Sequence, residues 1–345
     1  MSDLSNEQGE ARTLSRVAVV GAGSWGTALA VHLAAGGHDV TLWARAEELV
    51  SEMQARRANP VYLPDVSFPP SLTVTADLAE AVRDVPLVVM AVPSHGLRSV
   101  SVALAPLLTD GAILVSAVKG IEAGRLLRMS DVLRECVPGA VDIAVLSGPS
   151  FAWELAARRP TAVVVAAARP ETVALVQAEF RTPWMRLYGS HDLIGVEIGG
   201  ALKNTMAIAA GVTEGLGQGP NAQAALITRG LAELTRLAVA MGGQRETLAG
   251  LAGLGDLVLT CTGGLSRNRH VGIELARGRR LDDIVAATKM VAEGVRTTEA
   301  AVQLGARHGV ELPITEQMAA VLSGRIDPPE AVRQLMGRRQ RAEHH

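Results

Sequence analysis

The first place to look for chemistry is a lysine set among small and apolar residues, in the run Glu197-Ile-Gly-Gly-Ala-Leu-Lys203-Asn-Thr205. Burying an ammonium group without purpose is costly. If the helix carrying it is buried, desolvation disfavours the charged form and moves Lys203 towards proton exchange near neutral pH. Gly199 and Gly200, four and three residues earlier, predict room beside it for a bound molecule. The other reading of Lys203 is a stem packed on apolar surface with its ammonium in water. Lys119 follows an apolar strand in Ser116-Ala-Val-Lys-Gly120, where it meets an anionic or carbonyl substrate or is a plain surface lysine. In Ser147-Gly-Pro-Ser150, Gly148 permits close backbone approach. Ser150 caps a helix over Phe151 to Ala157, contacts a ligand there, or does both. Asp256 adds a carboxylate after Gly253-Leu-Gly255. Ser266, Arg267 and Asn268 form a helix start whose N–H groups and guanidinium can hold a phosphate, with bare capping as the other role for Ser266.

The elements that must position these groups follow a βαβ rhythm up to about residue 190. Strands are expected at Arg16–Val20, Asp39–Trp43, Leu87–Val92, Ala112–Ala117, Ile143–Leu146 and Ala162–Ala166, each followed by a turn and a helix-like stretch. The class is α/β, a Rossmann-type mostly parallel sheet followed by an all-helical C-terminal domain. Prolines 60, 64, 69 and 70 predict an ordered surface loop with no regular element. Long helices are expected over Asp192 to Leu216 and Pro220 to Met241. The domain reading is a flexible tail over 1–15, a dinucleotide-binding domain over 16–190, a helical substrate domain over 191–337 and a second tail over 338–345.

Val17-Ala-Val-Val20 runs into Gly21-Ala-Gly23-Ser24-Trp25-Gly26 and then a helix-forming stretch over Thr27 to Ala35. In this context Gly21 permits the tight turn, Gly23 lets backbone approach a pyrophosphate, and Gly26 lets helix pack on strand. Glycines that serve packing alone are the competing explanation. An acidic residue usually ends the second strand of an NAD site, but here the strand ends Trp43-Ala-Arg45. Arg45 suits the 2′-phosphate of NADP, while Glu47 and Glu48 are placed to take a ribose instead. The cofactor reading is therefore NADP(H) or NAD(H).

With 33 Lys plus Arg against 35 Asp plus Glu, no overall field favours polyanions, so nucleic acid is not the expected partner. Cys136 and Cys261 lack metal-ligand spacing and read as free thiols in a reducing cytosol, with no metal expected. The polar, acidic start does not resemble a secretory signal, and apolar runs are interrupted before the ~20 residues of a membrane span, so no membrane insertion is expected.

In order along the chain, Gly21-Ala-Gly-Ser-Trp-Gly26, Ser116-Ala-Val-Lys-Gly120, Ser147-Gly-Pro-Ser150, Gly199-Gly-Ala-Leu-Lys-Asn204, Ala252-Gly-Leu-Gly-Asp-Leu257 and Ser266-Arg-Asn-Arg269 closely resemble the bacterial glycerol-3-phosphate dehydrogenase [NAD(P)+] family, over nearly the whole length. The resemblance implies reversible reduction of dihydroxyacetone phosphate to sn-glycerol 3-phosphate, in the cytoplasm, for glycerophospholipid synthesis, with a homodimer as a family-level expectation. It implies Lys203 as general acid/base and Lys119, Gly148, Ser150, Asp256, Ser266, Arg267 and Asn268 at the substrate. The implied cofactor contacts are Ser24, Trp25, Arg45, Lys119, Ala152, Arg267, Val291 and Glu293. Relatives often have Thr where this chain has Ser150, and both carry a hydroxyl. Two alternatives stand beside this reading: a β-hydroxyacid dehydrogenase, which shares the architecture and a lysine base, and a non-catalytic NADP-binding sensor.

Overall fold

A computed structural model describes residues 16–137, 139, 141–287, 292–340, 342 and 343. The expected tail over 1–15 and Val291 lie outside the described residues. Among the described residues there are ten strands: β1 Arg16–Val20, β2 Asp39–Trp43, β3 Ala58–Asn59, β4 Leu63–Ser67, β5 Leu72–Thr75, β6 Leu87–Met90, β7 Ile113–Ser116, β8 Asp142–Ser147, β9 Thr161–Ala167 and β10 Met185–Ser190. Eight form one sheet in the order β10-β9-β8-β7-β6-β1-β2-β5. Every pair in it is parallel except β8 with β9.

Alternate residues of β1 enter different cores: Val17 and Val19 face one, Ala18 and Val20 the other. Both faces of the sheet are covered, which is why its central strands read as unbroken apolar runs. The opposite condition hid the two edge strands. β5 and β10 each bury alternate residues only, with Thr73, Arg186 and Tyr188 turned outward, so neither shows the continuous run that marks the interior strands.

The proline-rich segment departs from the sequence reading, because β3 and β4 form a short antiparallel ladder that includes Pro64. Proline is tolerated on such a two-stranded edge. The ladder also braces the glycine turn. Buried Asn59 donates its Nδ2 to the Ala22 carbonyl (2.9 Å) and to Thr27 Oγ1 (2.8 Å), while its Oδ1 accepts from the N–H groups of Val61 and Tyr62.

Beyond β10 the described chain is helical. The Leu193–Gly215 helix begins with Asp192, whose carboxylate accepts from the Gly195 N–H (2.8 Å), and nearly all of its 23 residues are buried. It meets the length and hydropathy of a membrane-crossing helix, but 94% of that apolar window is covered by the rest of the fold. The Gly219–Ala240 and Arg267–Ala276 helices pack along it around a core that includes Leu202, Met206, Leu234 and Val271. Gly211 faces the Arg269 carbonyl and Gly272 the Ile208 carbonyl, so the two backbones meet where any side chain would overlap. Arg338, in the segment expected to fray, pairs with Glu311 (3.0 Å).

Gly272→Ala is expected to force these helices apart and destabilise the protein by about 1–3 kcal/mol, the usual cost of overpacking. Thermal unfolding of the variant beside the unaltered protein checks this; an unchanged midpoint contradicts the close approach.

Candidate active site

The carboxyl ends of β1, β2, β6, β7 and β8 lie along one edge of the sheet, because these strands run parallel. Four of them lead into a residue singled out from the sequence, Gly21 after β1, Arg45 after β2, Lys119 after β7 and Gly148 after β8, and β6 leads into Ser94. The Leu193–Gly215 helix crosses against this edge. Gly200 sits where a Cβ would stand 2.6 Å from Ser147 Oγ and 3.5 Å from Lys119 Cγ, and Gly199 opposes the Ala252 carbonyl. The two glycines therefore do not leave an open space, as the sequence reading had it. They let the helix approach β8 and the Leu251–Gly255 π-turn closely enough for its lysine to meet Asp256.

Asp256 is fully buried and divides its two oxygens between two lysines. Lys203 Nζ donates to Oδ1 (2.5 Å) and Lys119 Nζ to Oδ2 (2.6 Å). Lys203 also donates to Thr260 Oγ1 (2.8 Å), and Lys119 to the Gly148 carbonyl (3.1 Å). Only 8% of Lys203 is exposed, so the stem-packed lysine with its ammonium in water is ruled out. Burial is the main influence on its acidity and lowers its pKa to about 8; Asp256 opposes this by attraction and Lys119 adds to it by repulsion. With all three ionised the cluster carries one net positive charge, suited to an anionic ligand or to an oxyanion forming during reaction.

Ser150 does not cap a helix. Its Oγ donates to the Gly148 carbonyl (2.9 Å), and the helix that follows is short, Ala152–Ala156, with Phe151 at its N-cap position. The hydroxyl thus braces the same carbonyl that Lys119 uses. Ser266 does cap, its Oγ accepting from the Arg269 N–H (3.3 Å) at the start of Arg267–Ala276. Arg267 projects from that first turn, exposed and within reach of the Glu293 charge. Asn268 is buried with both ends of its amide occupied: Nδ2 donates to Asn204 Oδ1 (3.0 Å), and Oδ1 accepts from the Gly294 N–H (3.0 Å). It joins the lysine helix to the Glu293–Arg307 helix, and one hydrogen of its Nδ2 is left over for a ligand.

The glycine turn fits a dinucleotide. Gly21 has φ of 118°, and a Cβ there would lie 2.7 Å from the Ala91 backbone, whereas a Cβ on Gly23 would meet nothing within 4 Å. The Ser24–Ala35 helix starts at Gly23 with no side chain capping it, leaving its first N–H groups for an anion. Half-buried Trp25 has its Nε1 buried with no hydrogen-bond partner among the described residues. Arg45 is exposed just past β2, and Ala152 begins the short helix after β8. Glu293 opens the Glu293–Arg307 helix, with its carboxylate held by Ser94.

Among the described residues, no group of three or more His, Cys, Asp or Glu is placed to hold a metal ion. Cys136 and Cys261 are buried free thiols, and burial pushes Cys261 up to about 12. Sequence reasoning assigned no partner to Thr260, Asn204 or Asn59. Thr260 had a signal, since it stands one helical turn after Asp256 and so on the same face. The bracing role of Asn59 had none, because the partners of its Nδ2, Ala22 and Thr27, are distant in sequence.

Asp256→Ala is expected to leave two ammonium groups without their shared partner in a site mostly closed to water, at a cost of about 3–5 kcal/mol. Chemical denaturation measures it. A loss under about 1 kcal/mol would mean that water already solvates the lysines.

The chain matches two family models, described as the N-terminus of NAD-dependent glycerol-3-phosphate dehydrogenase over residues 16–173 and its C-terminus over residues 192–333. It is 51% identical to a glycerol-3-phosphate dehydrogenase [NAD(P)+] of Koribacter versatilis over 329 residues, 94% of this chain and 98% of that one. With the enzyme of the same name from Geobacter sulfurreducens it shares 52% identity over 330 residues, 95% and 98% of the two chains. The crystal structure of glycerol-3-phosphate dehydrogenase from Coxiella burnetii superposes with a TM-score of 0.91 at 41% identity, covering 94% of this chain and 99% of that one. A ketopantoate reductase from Ralstonia eutropha, at 19% identity and a TM-score of 0.60, is similar in fold alone.

Proposed function

We propose that this chain, which belongs to the NAD-dependent glycerol-3-phosphate dehydrogenase family, interconverts dihydroxyacetone phosphate and sn-glycerol 3-phosphate with a nicotinamide dinucleotide. The observation that carries the mechanism is a buried carboxylate, Asp256, shared by Lys203 and Lys119. Full-length relatives at about half identity carry this enzyme's name, and neither the β-hydroxyacid dehydrogenase nor the sensor reading has comparable support.

The dinucleotide would be held by Gly21, Gly23, Ser24, Trp25 and Gly26 at the turn, with Arg45, Lys119, Ala152, Arg267, Val291 and Glu293 around it. When bound, it supplies the hydride that adds to the substrate's C2. Lys203, as an ammonium, donates a proton to the C2 oxygen as negative charge develops there, and in the reverse direction the amine removes it. Asp256 keeps Lys203 oriented and offsets part of the desolvation that would otherwise discharge it. Lys119, braced by the Gly148 carbonyl that Ser150 also grips, adds a second positive charge beside the reacting oxygen. Ser266, Arg267 and Asn268 offer the phosphate a helix start and a guanidinium. Ordering these groups before the substrate arrives is the larger part of what the protein contributes. The reading extends to a cytoplasmic homodimer serving glycerophospholipid synthesis.

Loss of NADPH and NADH absorbance with dihydroxyacetone phosphate, run beside a panel of 3-hydroxy acids, tests the substrate. Turnover of a hydroxy acid alone would overturn it. Lys203→Met is expected to lower kcat roughly 10²- to 10⁴-fold while dinucleotide binding persists. Because Lys203 acts as an ammonium in reduction and its pKa is about 8, kcat for reduction should fall as pH rises through that value. The oxidation rate should rise over the same range. Arg45→Ala should raise KM for NADPH more than for NADH; an equal effect on both would remove Arg45 as the 2′-phosphate contact.

A further inference from the structure

Ser94 is assigned no role by the reading above, yet it holds a residue that has one. It follows β6 and is 7% exposed. Its Oγ donates to Glu293 Oε2 (2.5 Å) and its backbone N–H to Glu293 Oε1 (3.1 Å), so one residue engages both oxygens of a carboxylate 199 positions away. Ser94 has little freedom to move. Gly120, in the loop after β7, packs so closely that a Cβ there would stand 2.6 Å from Ser94 Cβ and 3.7 Å from Thr297 Oγ1. On the other side of the contact, the next residue after Glu293 is also tied down, since the Gly294 N–H donates to Asn268 Oδ1 (3.0 Å). The start of the Glu293–Arg307 helix is therefore fastened both to the sheet edge and to the helix that opens with Arg267.

Position gives this contact its meaning. β6 lies beside β1, and the Ala91 backbone forms the floor under Gly21, three residues before Ser94. A free glutamate at a helix start samples several rotamers, and ordering it when a ligand binds costs entropy. Two donors from a fixed residue order it beforehand and draw off part of its negative charge, which would otherwise oppose an anionic dinucleotide. We infer that Ser94 is a positioning residue for the dinucleotide site, holding Glu293 and the first turn of its helix in place for the cofactor. The inference rests on the cofactor reading proposed above.

The test is direct binding of NADPH to the intact chain by calorimetry, without substrate, for Ser94→Ala, Glu293→Ala and the double variant. Ser94→Ala should weaken binding about tenfold, the worth of a hydrogen bond to a charged group. In the Glu293→Ala background the same change should matter less than about twofold, because the partner is already gone. Amide exchange in the first turn of the Glu293–Arg307 helix should also quicken in ligand-free Ser94→Ala. Should that variant not fold, Ser94→Cys, of similar shape and weaker as a donor, should show the same loss in smaller measure. Unchanged affinity, or additive losses in the double variant, would overturn the inference. No binding by the unaltered protein would overturn the cofactor reading itself, and this inference with it.

Discussion

One carboxylate between two lysines sets the terms for the rest of the molecule. Two ammonium groups this near each other, in a site mostly closed to water, repel, and each loses hydration. Asp256 offsets both effects at once because its two oxygens face different lysines. The balance leaves Lys203 with a pKa of about 8 and the cluster with a net positive charge. A site of this kind releases a proton readily near neutral pH and favours an oxygen that becomes negative. It works only while three segments hold their positions, namely the loop after β7, the Leu193–Gly215 helix and the helix that begins at Asp256.

Much of the fold can be understood as meeting that requirement. Parallel strands bring several loops to one edge, as antiparallel neighbours would not. Glycines remove side chains where the lysine helix meets β8 and the π-turn, so that Lys203 reaches a carboxylate borne by another helix. Side-chain amides and carboxylates then fasten the pieces. Asn59 braces the glycine turn, Glu197 accepts from Ser130 and Arg128 to tie the lysine helix to the segment that follows Lys119, and Asn268 joins three helices. Each of these polar groups is buried or nearly so and has partners, the condition under which burying it adds rigidity without an unpaired penalty.

The parts of this design legible in the sequence were those written in local pattern. Interior strands appeared as β-branched runs, the glycine turn as its spacing between strand and helix, and Lys203 as a charge out of place in an apolar helix. Edge strands β5 and β10 were not legible, because a half-exposed strand leaves only a weak alternation. The β3–β4 ladder was masked by Pro64, which regular elements usually exclude but a two-stranded edge accepts. Capping was one of the two roles open to Ser150, because serine before a helix is often a cap. Its hydroxyl is instead drawn to the Gly148 carbonyl, a choice set by tertiary geometry. Gly199 and Gly200 are small for close packing and not for an open space, Gly199 against the Ala252 carbonyl and Gly200 against the Ser147 and Lys119 side chains. Which carboxylate would meet Lys203 depends on the fold, since Asp256 is 53 residues away.

The most direct test of the central claim is the titration of Lys203 itself. The lysines can be carbon-13 methylated reductively and followed by NMR across pH, with Lys203→Arg identifying the resonance. A midpoint near 8 is expected. A midpoint at the ordinary lysine value of about 10.5 would mean that the ammonium is solvated, and the account of Lys203 as a proton donor tuned by burial would be wrong.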